Sequence, residues 1–155
     1  MPKIDLDTIP HTNRTGYPAP FDAPVQGRCY RRLAPAAGLT EFGASLVVLK
    51  PGAWSSQRHW HDDEDELLVM ISGEAVLIED AGRMVIRPGD VCAWPKGVAD
   101  GHHLINETHA DCVFVCISGG DDDGSGGYSD IDMMFSGDRY FRKDGTPYAE
   151  TDRIP

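Results

Sequence analysis

The sequence lacks long hydrophobic runs, is poor in basic residues and holds few cysteines, and each shortage excludes a class of function. Its aliphatic stretches, such as Ser45 to Leu49 and Leu67 to Ile71, stop far short of the ~20 apolar residues a membrane-crossing helix needs. Lysine and arginine number 14 against 25 acidic residues, a formal charge of −11. Long-range electrostatics therefore oppose nucleic acid and anionic lipid as partners. Met1 to Pro10 lacks the basic start, apolar stretch and small-residue cleavage site of an export signal, so the expected location is cytoplasmic. The four cysteines, Cys29, Cys92, Cys112 and Cys116, have neither CxxC spacing nor the density of a disulfide scaffold. Cys112 and Cys116 are expected on one strand face as reduced, core-filling thiols. No long amphipathic helix and no internal repeat can be drawn.

What is present reads as one β-rich domain, since 155 residues suffice for a single well-filled core. Residues 1–38 carry six prolines and little periodicity, which predicts an extended arm over a barrel or a neighbour. Strand-like runs then recur at Glu41 to Leu49, Ser55 to His61, Glu66 to Ile71, Ala75 to Glu79, Arg83 to Ile86, Asp90 to Trp94, His102 to Ile105 and Asp111 to Ser118. Asp80-Ala81-Gly82 supplies a hairpin turn, and the spacing predicts an antiparallel sandwich or closed barrel over residues 39–118. Residues 119–155 read as a Gly/Asp loop, Gly119 to Gly127, followed by a docked tail in which Ile131 to Phe135 can add a strand and Asp144 to Pro147 makes a turn.

The chemistry concentrates in His59, Trp60, His61 and Glu66, answered downstream by His102 and Asn106. Residues two apart share a face on a strand but not on a helix, so His-x-His presents two imidazoles to one ion only from a strand. Three imidazoles and one carboxylate (His59, His61, Glu66, His102) suit a divalent ion such as Mn, Fe, Co, Ni or Zn. With neutral imidazoles such a site carries net charge +1 and attracts anionic or chelating oxygen ligands. Four protein ligands leave one or two positions open for Lewis-acid or oxygen chemistry. Strand parity turns Gln57 and Ser55 into the pocket beside His59, and makes Leu68 and Met70 an apolar wall beside Glu66. No inward lysine or arginine is evident to hold a phosphate, although Arg31, Arg32 or Arg139 could reach in. His11 and His109 have no motif around them, and the three tryptophans are read as packing groups. The Asp62 to Asp65 run and the EF-hand-like Asp121, Asp123 and Asp132 spacing are read as solvated acidic loops.

Gly52-x6-His59-x-His61-x4-Glu66-x6-Gly73, with Gly89-x5-Pro95-x-Gly97 and His102-x3-Asn106, resembles the two motifs of the cupin superfamily. One extra residue precedes His59, and four residues separate Gly97 from His102, so the adjacent His103 is an alternative ligand. The resemblance spans residues 41 to 118. It implies a double-stranded β-helix, or jelly-roll, barrel holding a metal. More loosely, the stretch before the barrel and the ending Lys143 to Tyr148 look like bacterial single-domain cupins of unassigned activity, some labelled as candidate sugar-phosphate isomerases.

Three functions are carried forward from these residues. The first is Lewis-acid isomerisation, epimerisation or elimination on a small oxygenated, sugar-like metabolite, with His103, Tyr30 and Tyr128 as proton carriers by chemistry alone. The second is an iron-dependent dioxygenase, and the third a non-catalytic small-molecule binding module. A homodimer is expected through the proline-rich arm and outward apolar groups. The Gly119 to Gly127 loop could serve as a lid.

Overall fold

A computed structural model describes residues 3–119 and 124–149. Twelve strands follow in chain order: β1 (Arg28–Arg32), β2 (Gly43–Leu49), β3 (His59–His61), β4 (Asp65–Ser72), β5 (Ala75–Glu79), β6 (Gly82–Ile86), β7 (Val91–Trp94), β8 (His103–Ile105), β9 (Cys112–Gly119), β10 (Ser125–Tyr128), β11 (Met134–Ser136) and β12 (Arg139–Phe141). A single helical turn, α1 (Leu33–Ala36), separates β1 from β2. Among the described residues these strands pair antiparallel throughout.

One sheet has the order β1-β2-β9-β4-β7, and facing it lie β6-β5-β8 and β12-β11-β10-β3. A bridge between His59 and His102 joins the last two sheets edge to edge. The result is the expected jelly-roll barrel, closed so that few strand edges are left for other chains to pair with. Its core alternates inward along each strand: Val47 and Leu49 from β2, Leu68 and Met70 from β4, Phe114 and Cys112 from β9, opposed by Leu77 and Leu104. Asn106, fully buried, closes the turn after β8 by donating from Nδ2 to the carbonyls of Leu49 (2.7 Å) and Ala110 (2.8 Å) while accepting from Thr108.

Three expectations need correction. Residues 1–38 are not all an arm outside the barrel, because Arg28–Arg32 is a barrel strand paired with β2 from Ser45 to Leu49. That strand is polar on both faces (Arg28, Tyr30 and Arg32 on one, Cys29 and Arg31 on the other), so hydrophobic alternation does not announce it. The run Ser55 to His61 is strand only from His59; the residues before it bend, which breaks the two-residue parity. Finally, the Gly119 to Gly127 segment is not wholly a loop. Ser125–Tyr128 pairs β3 on one side and β11 on the other. Glycine is required there because a Cβ at Gly126 would collide with the Trp60 carbonyl and the Phe135 ring, and one at Gly127 with the Trp60 indole. Asp121 and Asp123, and with them residues 120–123 of the suggested lid, lie outside the described residues.

The tail docks as expected. Met133 is fully buried with Tyr17, Val25 and Tyr128 in a second apolar cluster, so the tail and residues 17–25 of the arm cover the same end of the barrel. Thr146 N–H bonds Asp144 Oδ1 in the predicted turn.

Candidate metal centre

β3 is held on both flanks, which fixes the two imidazoles it carries. On one side β10 sets Gly126 opposite His61 and Tyr128 opposite His59. On the other, His59 and His102 exchange two backbone hydrogen bonds of 3.2 and 2.9 Å. Glu66 comes from the opposite sheet, where β4 sets it between Ser118 and Trp94.

All three imidazoles direct Nε2 at one carboxylate oxygen. Glu66 Oε2 lies 3.9 Å from His59, 3.6 Å from His61 and 2.7 Å from His102. The donor atoms of His59, His61 and Glu66 all fall within 4.8 Å of one another. Bonds of about 2.1 Å to a shared ion would set donors about 3.0–3.4 Å apart, and the His59 and His61 distances to Glu66 Oε2 stand just outside that range. His102 stands differently, because 2.7 Å is a hydrogen-bond distance and implies a proton on its Nε2. For His102 to hold an ion, its Nε2 would have to be free of that proton.

The surroundings select the form of His59 that a metal needs. Its Nδ1 lies 3.0 Å from the Gln57 carbonyl, which can only accept, so Nδ1 carries the hydrogen and Nε2 keeps its lone pair. Burial lowers the His59 pKa to about 4, which leaves the ring neutral at pH 7. For Glu66, burial alone would raise the pKa, but the His102 hydrogen bond and the neighbouring imidazoles outweigh it and hold the carboxyl at about 2. Trp94 stacks on His102 at 3.9 Å and 6° and is itself tied by Nε1–H to Glu79 (2.6 Å). Nδ1 of His61 and of His102 are buried without a hydrogen-bond partner among the described residues. The donor set and its geometry thus fit a divalent ion best at His59, His61 and Glu66, with His102 as the fourth group.

His103, the alternative ligand, is not at this cluster. Its Nδ1 lies 3.0 Å from the Ser56 carbonyl and its ring packs edge-on against Trp54 at 4.7 Å.

The cluster opens on a cavity of about 620 Å³. Leu68 lines it as expected, together with Leu104 and Phe114. Gln57 and Met70 do not. The bend before β3 turns Gln57 outward from the barrel, where its Nε2 donates to the Phe21 carbonyl (2.8 Å) and anchors the arm. Met70 is 1 % exposed and lies deeper in the core, two residues further along β4 than Leu68.

Several wall groups were unexpected. Glu64 lines the cavity and its Oε2 is 3.8 Å from His61 Nδ1, so the acidic run before β4 is not simply solvated. Tyr17, from the arm, also faces inward. Cys116 sits on the wall with Sγ 3.9 Å from Glu66 Oε1, and burial pushes its thiol up to about 12. Arg28 and Arg32 reach the cavity from β1, whereas Arg31 turns away to the Ile9 carbonyl. Alternation of Arg28, Tyr30 and Arg32 was the available signal, legible only once the segment is known to be a strand.

Comparison with known proteins supports this reading of the fold. Residues 45–118 match the family model described as Cupin domain. A solved structure from Silicibacter pomeroyi, named as a sugar phosphate isomerase from a cupin superfamily, is 39% identical with a TM-score of 0.91, across 99% of this chain and 100% of that one. The chain belongs to the cupin superfamily. More distant cupin-like folds come from Acidithiobacillus ferrooxidans (26% identity, TM-score 0.66, 83% of this chain and 79% of that one) and Salinispora arenicola. The latter, a Cupin 2 conserved barrel domain protein, has 26% identity and a TM-score of 0.51 over 59% of this chain and 74% of its own. No curated protein matches this cupin. Among the described residues no helix is long and apolar enough to cross a membrane.

Proposed function

We propose that this cupin is a metal-dependent isomerase of a small, sugar-like oxygenated metabolite. The observation that carries the proposal is the convergence of three Nε2 atoms on Glu66 Oε2 at the wall of the barrel cavity. A bound divalent ion supplies Lewis acidity, polarising a carbonyl so that the adjacent C–H becomes acidic. The protein's own groups do the rest. Leu68, Leu104 and Phe114 exclude water from one wall, which strengthens every charge interaction inside. Glu64 and Tyr30 line the same space and are among the groups able to hold or move a proton between neighbouring carbons. Of the proton carriers considered from sequence, His103 and Tyr128 do not line it. The name borne by the Silicibacter pomeroyi relative points the same way.

The test is a screen of aldose and ketose sugars and their phosphates with protein as purified, after chelation and after restoring each divalent metal. Interconversion that disappears on chelation and returns with metal is the expected result. Oxygen consumption with iron would instead establish the dioxygenase reading. Ligand binding without turnover would establish the binding module.

A further inference from the structure

Gln57 spends its polar groups in two directions. Residues 55–58 bend between the bridge at Trp54 and the start of β3, outside any ladder. Gln57 is 6 % exposed there, and its N–H meets no backbone carbonyl among the described residues; the hydroxyl of Tyr17, in the arm, accepts it instead (3.3 Å). Its Nε2 donates to the Phe21 carbonyl (2.8 Å), also in the arm. A third arm contact, from Trp54 N–H to the Pro24 carbonyl (2.9 Å), holds the start of the bend. Facing the other way, the Gln57 carbonyl takes Nδ1–H of His59 (3.0 Å). One residue thus links residues 17–24 to a metal ligand, and because no ladder restores the bend, its conformation is set by what its polar groups bond.

The same carbonyl decides which nitrogen of His59 carries the hydrogen. Ser56 Oγ lies 3.3 Å from Nδ1 as well, and a hydroxyl donates as readily as it accepts. With the Gln57 carbonyl in place only the Nδ1–H tautomer satisfies it, and Nε2 keeps the lone pair that an ion requires. If that carbonyl turned away, Ser56 could donate to Nδ1 and the hydrogen would move to Nε2. His59 would then face Glu66 as a hydrogen-bond donor rather than as a ligand. Tyr17 braces the ring by a second route, since it packs edge-on against Tyr128 (5.7 Å), whose ring stacks on His59 (6.0 Å, 30°).

We propose that Tyr17 and Gln57 are positioning residues for the metal ligand His59, so that docking of arm residues 17–24 on the bend raises the affinity of the centre for its ion. The proposal rests on the metal centre and not on the reaction carried out there. Groups that orient a ligand in this way typically cost about 10–100-fold in metal affinity when lost, and residues acting one bond further out belong at the lower end.

Competition titration of Co²⁺ against a chelating indicator, on untagged full-length protein, tests it with wild type, Tyr17→Phe, Gln57→Ala and a control, Ile9→Ala, whose buried side chain lies in the arm outside the cluster of Tyr17 and Tyr128. Tyr17→Phe keeps the ring packing and removes only the hydroxyl. Tyr17→Phe and Gln57→Ala should each raise the Co²⁺ dissociation constant about tenfold, and the double variant little more than Gln57→Ala alone, because both act through one residue. Ile9→Ala should lower the melting temperature and leave Co²⁺ affinity unchanged. Long-range proton–nitrogen correlation spectra of the metal-free proteins give a readout that a merely structural role would not move: His59 should be the Nδ1–H tautomer in wild type, with Nε2–H appearing in both variants. Co²⁺ affinity within about twofold of wild type in both variants, an unchanged His59 tautomer, or an equal loss of affinity in Ile9→Ala overturns the proposal. A wild type that binds no Co²⁺ sinks the metal centre and the proposal with it. Weakened Co²⁺ binding in the variants of a protein without isomerase activity would sink the isomerase reading and uphold the positioning role.

Discussion

Glu66 decides what the imidazoles around it can do. Its carboxyl is held at about 2 and His59 at about 4, so both are in the ligand-ready form at neutral pH. Both folded-state values lie below the unfolded ones (4.5 and 6.5), so the unfolded chain takes up protons first as pH falls. In the metal-free protein the stability these two groups contribute is therefore lost through His59 between about pH 6.5 and pH 4, and through Glu66 between about pH 4.5 and pH 2. The expected slope is up to about 1.4 kcal/mol per pH unit in each window. Urea titrations between pH 7 and pH 4 measure it, and His59→Ala should flatten the upper window. Asn106 sits near the centre but acts on the backbone, so Asn106→Ala, which strips the buried Leu49 and Ala110 carbonyls of their donor, should cost about 1–3 kcal/mol. Denaturant midpoints check this, and metal stoichiometry in the folded fraction should be unchanged.

Short elements place the site, and their visibility in sequence was uneven. Ala75–Glu79 was readable to within a residue because Ala75 and Leu77 on one face pack on the core, and Gly82–Ile86 because the Asp80-Ala81-Gly82 turn pairs it back on that strand as a hairpin. The His-x-His pair and Glu66 were readable because only a strand lets residues two apart converge, and the bridge from His59 to His102 bears out that geometry. β1 and β10 were not readable. The first is arginine-rich on its inward face and the second is Ser-Gly-Gly-Tyr, a composition that normally marks a turn or linker. Likewise the bend before β3, which sends Gln57 to the arm, leaves no periodic trace. Because β10 flanks β3, its glycines bear on the site: Gly126→Ala should cost about 1–3 kcal/mol through overpacking against Trp60 and Phe135. Thermal unfolding together with metal titration checks this, with weaker metal binding expected as β3 loses its neighbour. A variant as stable as wild type would show that β10 does not brace His59 and His61.

At the scale of the molecule, the arm and tail bury Tyr17, Val25 and Met133 against their own barrel, so the arm is committed largely within the chain. Apolar side chains exposed on the strands, Ile71 and Val91 on the paired β4 and β7 and Met84 and Val85 on β6, support a homodimer instead. We propose that two copies associate through these strands. Sedimentation should report twice the 16.9 kDa chain mass, and Met84→Glu should shift it to monomer. Dimer or monomer, each barrel is closed around its own cavity and contributes every group of the His59, His61, Glu66 and His102 cluster from one chain. Elemental analysis of untagged protein, wild type beside His59→Ala, tests that centre most directly. One divalent ion per chain in wild type and substantially less in the variant is the expected result; a metal-free wild type that cannot be loaded, or a His59→Ala protein with undiminished metal content, would contradict it.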